Sequence, residues 1–371
     1  MVLRRVRSRE GPETVDLRSR VYYAGDTGTR SGGAVAMGEQ QWTTVVAAAI
    51  RAPSIHNTQP WHFTASGDRL ELRLDRGRAL PVLDPTARQQ VISCGVAAEF
   101  AAVALRASGV EAEVELLPAP EDPDHLATVR AGAPREVSPG DAALAEAVGR
   151  RHTERAPFLP RAVPAELLDR FGSDARPYGV WVKTVTGSEE EVATAFLVSR
   201  AEELERGDPG YLAELERWLR TDPAAVDGIP VDAVPGEDPA TRPSNWLVRD
   251  FVAGSREPHL FLPAGDPTAP PPEVERPTVV LLGTDGDDRT AWLLAGRALG
   301  RLLLTATTEG LAASPLTQAL DWPVTRSRMR ARLSLLGYPQ MLLRMGYPST
   351  TGSAASGRRP VSDVLRFEPA G

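Results

Sequence analysis

The 371-residue chain reads as an α+β protein made of two pseudo-repeated halves that mimic a two-fold dimer within one chain. Three observations point there. Two long helical patterns, opening near Asp84 and Asp288, superpose at a constant offset. Each is preceded by a strand pattern and closed by a glycine. A stiff Pro-rich loop, Ala52–Phe63, occurs in the first half only.

The repeat is read from spacing. Arg88, Gly95 and Gly109 are spaced like Arg289, Gly296 and Gly310. Between them Val91, Gly95, Ala98, Ala102 and Leu105 match Trp292, Gly296, Leu299, Leu303 and Ala306, positions that recur every three or four residues on one helical face. Any two amphipathic helices can be aligned. The gap-free match of both glycines and the flanking strands favours a repeat, with the two helices at or near the interface of the halves, where glycine admits a neighbouring backbone.

In chain order, residues 1–37 are rich in Arg, Gly, Ser and Thr, have no hydrophobic period and read as a disordered tail. The first half spans 38–140. It opens with a helix over 42–52, stopped by Pro53, which fixes its own φ and disfavours helix at Ala52. Pro60 is expected to hold Gln59 extended. Strands at 61–63 and 70–74 flank Ser66-Gly67-Asp68, a hairpin signal. A helix runs from Asp84 to about Ser108, then a strand from Val110 to Leu117, a Pro/Asp-rich connector and an irregular stretch.

The second half spans 141–371. Helices are expected over 141–151, 164–171, 189–206, 211–220, 288–309 and 326–336, and strands over 180–185, 278–282 and 340–346. Residues 222–275 are Pro/Gly/Asp-rich and read as a lid insert. Ser349–Gly357 is a polar stretch ahead of Arg358-Arg359-Pro360 and a last short apolar segment.

Composition excludes several classes. Hydrophobic content of 42% and charged content of 25% are ordinary for a globular protein, and the net charge of −7 argues against nucleic acid as partner. A single cysteine, Cys94, forbids an intrachain disulfide framework or a Cys-rich metal site. No apolar run approaches a membrane span, and no apolar stretch follows Arg4, Arg5 and Arg7, so a secretory signal is not expected and a reducing cytoplasm is the default.

Three motifs carry chemistry. The loop Ala-Pro-Ser-Ile-His-Asn-Thr-Gln-Pro-Trp offers Ser54, Asn57 and Gln59 on a stiff connection, although Pro-Trp anchoring a strand to the core is an equal reading. Arg151-His152-Thr153-Glu154-Arg155 gathers three basic groups and a hydroxyl at a helix end. With Arg358 and Arg359 it would suit an anion such as a phosphate monoester; a solvated basic end complementing the helix dipole is the alternative. The Gly352–Gly357 stretch lacks the lysine and the strand-to-helix context of a phosphate loop. There is no Gly-x-Gly-x-x-Gly, no Gly-x-Ser-x-Gly and no persuasive zinc-ligand spacing.

Together, the Pro-Ser…Asn-x-Gln-Pro-Trp loop, Arg-His-Thr-Glu-Arg and the terminal Gly-Arg-Arg-Pro resemble the FMN-dependent nitroreductase superfamily, and their order with a single complete site looks most like its Acg branch. The resemblance runs from about Met37 to the C-terminus. It implies a nitroreductase-like fold with FMN in a groove between halves. Arg151, Thr153, Arg358 and Arg359 would hold the phosphate and ribityl chain, and Arg155 would lie near the pyrimidine edge. Pro53, Ser54, Ile55, Asn57 and Gln59 would line the cofactor from the other half. His152 matches a family position with no clear role. A backbone donor to flavin N5 would come from about Pro315–Gln318, with Thr317 and Gln318 as candidates. No side chain need act as acid or base, because the flavin carries the chemistry. The implied activity passes hydride from NAD(P)H via FMN to a small organic acceptor, in a monomer. An FMN-storing protein whose lid excludes nicotinamide is the rival.

Overall fold

The computed structural model describes residues 36–231, 277–349 and 356–369. Every described residue belongs to one compact unit. The expected tail up to residue 35, the lid from 232 onward and residues 350–355 of the polar stretch lie outside the described residues.

The chain begins with α1 (Glu39–Ala49), three residues earlier than expected. The hairpin of β1 (Trp61–Ser66) and β2 (Arg69–Leu74) turns at Gly67, whose φ is 57°. Next come α2 (Arg88–Ala107), β3 (Val110–Leu116), β4 (His125–Pro134) and α3 (Pro139–Arg150). Then follow α4 (Ala165–Ala175), β5 (Val180–Val185), α5 (Ser188–Gly207), α6 (Pro209–Glu216), β6 (Leu219–Arg220) and β7 (Ile229–Pro230). The remainder is β8 (Thr278–Thr284), α7 (Arg289–Thr308), β9 (Ala312–Pro315), α8 (Gln318–Asp321), α9 (Pro323–Arg332), β10 (Tyr338–Gly346), α10 (Val361–Val364) and β11 (Leu365–Phe367).

The described strands form a five-stranded sheet, ordered β11-β1-β2-β4-β3, a four-stranded sheet, ordered β5-β8-β10-β9, and the small parallel pair β6-β7. β4 falls in the stretch expected to be irregular. It lies inside its sheet, between β2 and β3, and five consecutive residues from His125 are buried, so the start of the strand shows no alternation. β11 crosses back to the first sheet and pairs in parallel with β1, Phe63 opposite Leu365. That return brings the C-terminal arginines to the Pro-rich loop.

The long helices have built-in ends. The Asp84 carboxylate accepts Gln89 N–H and Gln90 N–H at 3.1 and 2.9 Å, and Asp288 accepts Ala291 N–H at 2.9 Å. Gly109 and Gly310 close the two helices at φ 81° and 75°. α2 and α7 cross at Gly95 and Gly296; a Cβ on Gly296 would stand 2.1 Å from the Ile92 carbonyl oxygen. Beside the crossing, Glu99 of α2 is buried and accepts Arg297 of α7 at 3.0 Å and Arg106 at 3.0 Å. Burial disfavours its charge, but those two cations outweigh that and hold the carboxyl below its ordinary range. α2 is the one described helix long and apolar enough to cross a membrane, and 83% of that apolar window is buried in this core. Cys94 lies inside it, its thiol pushed well up by burial and unreactive.

Candidate functional site

The Pro-rich loop is held by its own side chains. Ser54 Oγ accepts Gln59 N–H at 2.9 Å, and the Ser54 carbonyl accepts Asn57 N–H at 3.0 Å. Ser93 Oγ, on α2, accepts Ile55 N–H at 3.2 Å. Three residues that are not glycine, His56, Asn57 and Gln59, sit at φ 46°, 51° and 49°. Such backbone persists only where the surroundings over-determine it. The extended Gln59 expected from Pro60 is thus not found. Gln59 is fully buried, donates Nε2–H to the Val226 carbonyl at 2.8 Å, and accepts Arg359 N–H at 2.8 Å on Oε1. Those bonds to two distant segments override the local preference.

A small cleft of about 110 Å³ lies beside this loop. Pro53, Ser54 and Ile55 form one wall, and Thr153, Arg155, Ser314, Pro315 and Thr317 the other; α2 and α7 contribute Gln89, Ile92, Ser93, Val96 and Leu299. The second wall is assembled by a short parallel bridge between Thr153 and Ala313, with Glu154 N–H donating to the Ala313 carbonyl at 3.1 Å. Of the expected residues, Pro53, Ser54, Ile55, Thr153, Arg155 and Thr317 therefore meet in one cleft. Gln318 does not line it; it is buried and donates Nε2–H to Glu202 at 3.0 Å.

Asn57, Arg151 and Arg358 meet beside the loop. Asn57 Oδ1 accepts Arg358 Nη1–H at 3.1 Å, and Asn57 Nδ2–H donates to the Gly357 carbonyl at 3.1 Å. Arg151 and Arg358 each donate an Nη2–H to the Arg51 carbonyl at 3.4 Å, beyond the C-terminal end of α1. The Nε atoms of both arginines are buried with no hydrogen-bond partner among the described residues. Burial first, then the charges of Arg358 and Arg51, bring the Arg151 guanidinium down to about 9. Burial and then Arg51 bring Arg358 to about 10. Among the described residues no carboxylate enters the electrostatics of either. Buried cations without a counter-charge are costly, and this cluster can accept an anion. Arg359 points elsewhere: Nη1 lies 3.5 Å from Asp75, and Nη2–H donates to the Asp363 carbonyl at 3.2 Å.

His152 stands beside the cluster. Its ring nitrogens face the Arg150 carbonyl at 3.3 Å and the Glu154 carboxylate at 3.4 Å, two acceptors that favour the imidazolium. The Glu154 hydrogen bond raises its pKa against the opposing effect of burial. Among the described residues no group of three or more His, Cys, Asp or Glu could hold a metal ion.

Gln89, Ser93, Ser314, Met341 and Arg51 were not singled out from sequence, and Leu299 was named only as a position of the helix repeat. Gln89 and Ser93 had a usable signal: polar residues four apart near the start of a largely apolar helix. Arg51 had only its place next to the loop.

No family model matches the chain. A Mycobacterium tuberculosis (strain H37Rv) protein named "Putative NAD(P)H nitroreductase Rv3131" is 36% identical over 327 residues, 87% of this chain and 90% of its own length. "Putative NAD(P)H nitroreductase acg" of the same strain is 30% identical over 340 residues, 87% of this chain and 94% of its own. The solved FMN-dependent nitroreductase NfnB from Mycobacterium smegmatis, in complex with NADPH, aligns with a TM-score of 0.35 and 18% identity over 61% of this chain and 98% of its own, too distant to bear on the site. With 36% identity over 327 residues and 90% of the length of a relative so named, this chain belongs to the nitroreductase superfamily and is Acg-like.

Proposed function

We propose that the chain is an FMN-dependent oxidoreductase, taking reducing equivalents from NAD(P)H and passing them to a small organic acceptor. The observation that carries this reading is the pair formed by buried Arg151 and half-buried Arg358, whose Nε atoms are buried and have no hydrogen-bond partner among the described residues, next to a cleft walled by distant parts of the chain. A phosphate monoester supplies the missing charge and acceptor atoms. The names of the M. tuberculosis relatives support the NAD(P)H half of the reading.

In this reading Arg151, Thr153 and Arg358 hold the phosphate and ribityl end, with Arg359 behind them. Asn57 fixes Arg358, and Pro53, Ser54 and Ile55 form the wall against the ring. Arg155 lies toward the pyrimidine edge, and the segment at Thr317 supplies a backbone donor. FMN, when bound, provides the hydride chemistry at N5; the chain binds, orients and excludes water. The halves, 38–140 and 141–371, each provide one wall within a monomer.

The test is anaerobic mixing of FMN-loaded protein with NADH or NADPH. Rapid loss of the oxidised-flavin absorbance, restored by a nitro- or quinone-type acceptor, is expected. A spectrum that neither donor bleaches would favour storage of the cofactor.

A further inference from the structure

We infer that Arg344, a buried arginine behind the cleft, is a positioning residue that fixes Arg155 in the cleft wall. This deepens the FMN reading and rests on it. Arg344 lies on β10, where its neighbours Met341, Leu342, Leu343 and Met345 are apolar and buried, and it is itself only 1% exposed. Its Nη2 donates to the Arg155 and Ala156 carbonyls at 3.1 and 2.6 Å, and its guanidinium lies 4.8 Å from the centre of the Phe158 ring. The same turn is held from within: buried Glu154 accepts Ala156 N–H at 2.8 Å and lies 3.4 Å from His152 Nε2. Across the sheet Arg344 pairs with Ser314 of β9, and Ala313 of β9 bridges Thr153. Both segments of the second wall are therefore tied to β10 at this one residue.

An ionised group in a fully buried strand is costly, and an apolar side chain of similar bulk would serve that core at less cost. What Arg344 adds is donors to two consecutive main-chain carbonyls, in the stretch that brings Thr153 and Arg155 to the cleft. Without those donors the turn is free to rearrange, and the Arg155 side chain moves with it. A general role in the core is the rival explanation. The two roles separate through Arg155. Arg344 acting through Arg155 affects FMN only while Arg155 is present, whereas a loosened core affects FMN equally with or without it.

The experiment is a double-mutant cycle on flavin-free full-length protein: wild type, Arg344→Met, Arg155→Ala and the two combined, titrated with FMN by flavin fluorescence. Amide hydrogen exchange is followed separately without ligand. Each single variant is expected to weaken FMN roughly tenfold, the value of one charge-assisted contact, and the double variant to bind within about twofold of Arg155→Ala. The amides of Glu154 and Ala156 are expected to exchange faster in Arg344→Met, with those of β8 and α7 unchanged. Losses that multiply in the double variant, or no loss for Arg344→Met, overturn the assignment. Arg344→Gln, which keeps an N–H donor on a shorter, uncharged side chain, carries the same cycle if Arg344→Met does not fold. If the wild type binds no FMN, the cofactor reading fails and Arg344 is judged on exchange alone. Faster exchange confined to 154–158 upholds its hold on the Arg155 segment, and exchange unchanged or raised throughout rejects it.

Discussion

Gly95 and Gly296 meet backbone to backbone, and a Cβ on Gly95 would stand 3.0 Å from the Gly296 Cα and 2.4 Å from the Leu293 carbonyl oxygen. Neither contact is with a flexible side-chain tip, so a methyl group there moves a whole helix. Gly95→Ala or Gly296→Ala is expected to destabilise by about 1–3 kcal/mol, the usual cost of overpacking. Gly149→Ala, in α3 with nothing within 4 Å of its added Cβ, should instead gain about 0.5–1 kcal/mol. Urea unfolding midpoints of the three variants decide this; equal behaviour would mean that the crossing is looser than described.

The two C-terminal arginines are predicted to differ. Arg358 bonds Asn57 and keeps a buried, unpartnered Nε, whereas Arg359 lies against Asp75 and the Asp363 carbonyl. Arg358→Ala should weaken FMN binding by roughly tenfold or more, and Arg359→Ala by less. Fluorescence titration of both variants gives the order, and a larger loss for Arg359→Ala would reverse the placement of the phosphate.

Asp227 pins the start of the insert to the loop region. Its carboxylate takes hydrogen bonds from Arg78 and from Arg220 Nε at 3.0 Å, while Gly228 N–H donates to the Asn57 carbonyl at 3.3 Å. Burial raises its pKa, but the Arg78 and Arg220 hydrogen bonds and charges outweigh this and hold the carboxyl below its ordinary range. Asp227→Ala leaves two arginines without their partner and frees this strap. We expect a loss of about 1–2 kcal/mol in stability and faster FMN release by stopped-flow displacement. An unchanged release rate would show that the strap does not retain the cofactor.

Asp287 sets an acid limb of stability. Burial pushes its carboxyl up, but hydrogen bonds from Arg326, Trp292 and Gln340, with the Arg326 charge, prevail and hold it at about 2. Both Arg326 Nη groups lie 2.8 Å from it. A folded pKa below the ordinary 3.8 means stability that is present above 3.8 and lost as pH falls toward 2. Asp287→Asn should therefore be less stable than wild type at pH 6, with the gap narrowing by pH 2.5. Chemical unfolding at both values measures it, and a constant gap would place the acid sensitivity elsewhere.

The long helices, their terminating glycines and the strands at 70–74, 110–117 and 180–185 were legible because period, capping and turn chemistry act within a few residues. So was the pairing of Gly95 with Gly296, since close backbone approach leaves a glycine in each partner. β4 was hidden because a strand buried on both faces does not alternate. β11 was hidden because three residues at a chain end carry no pattern, and only pairing with β1 makes them a strand.

The motifs named the residues of the anion site but not their division of labour. From one-dimensional spacing Arg358 and Arg359 are equivalent neighbours, and Gln59 is another polar group on a loop. Folding distinguishes them: Asn57 takes Arg358, Asp75 takes Arg359, and the arrival of Val226 and the Arg359 amide closes off Gln59. Helix periods and breakers are local properties of the chain. Which guanidinium meets a carboxylate, and which is left buried without one, depends on segments some 300 residues apart, and no local rule reaches that far.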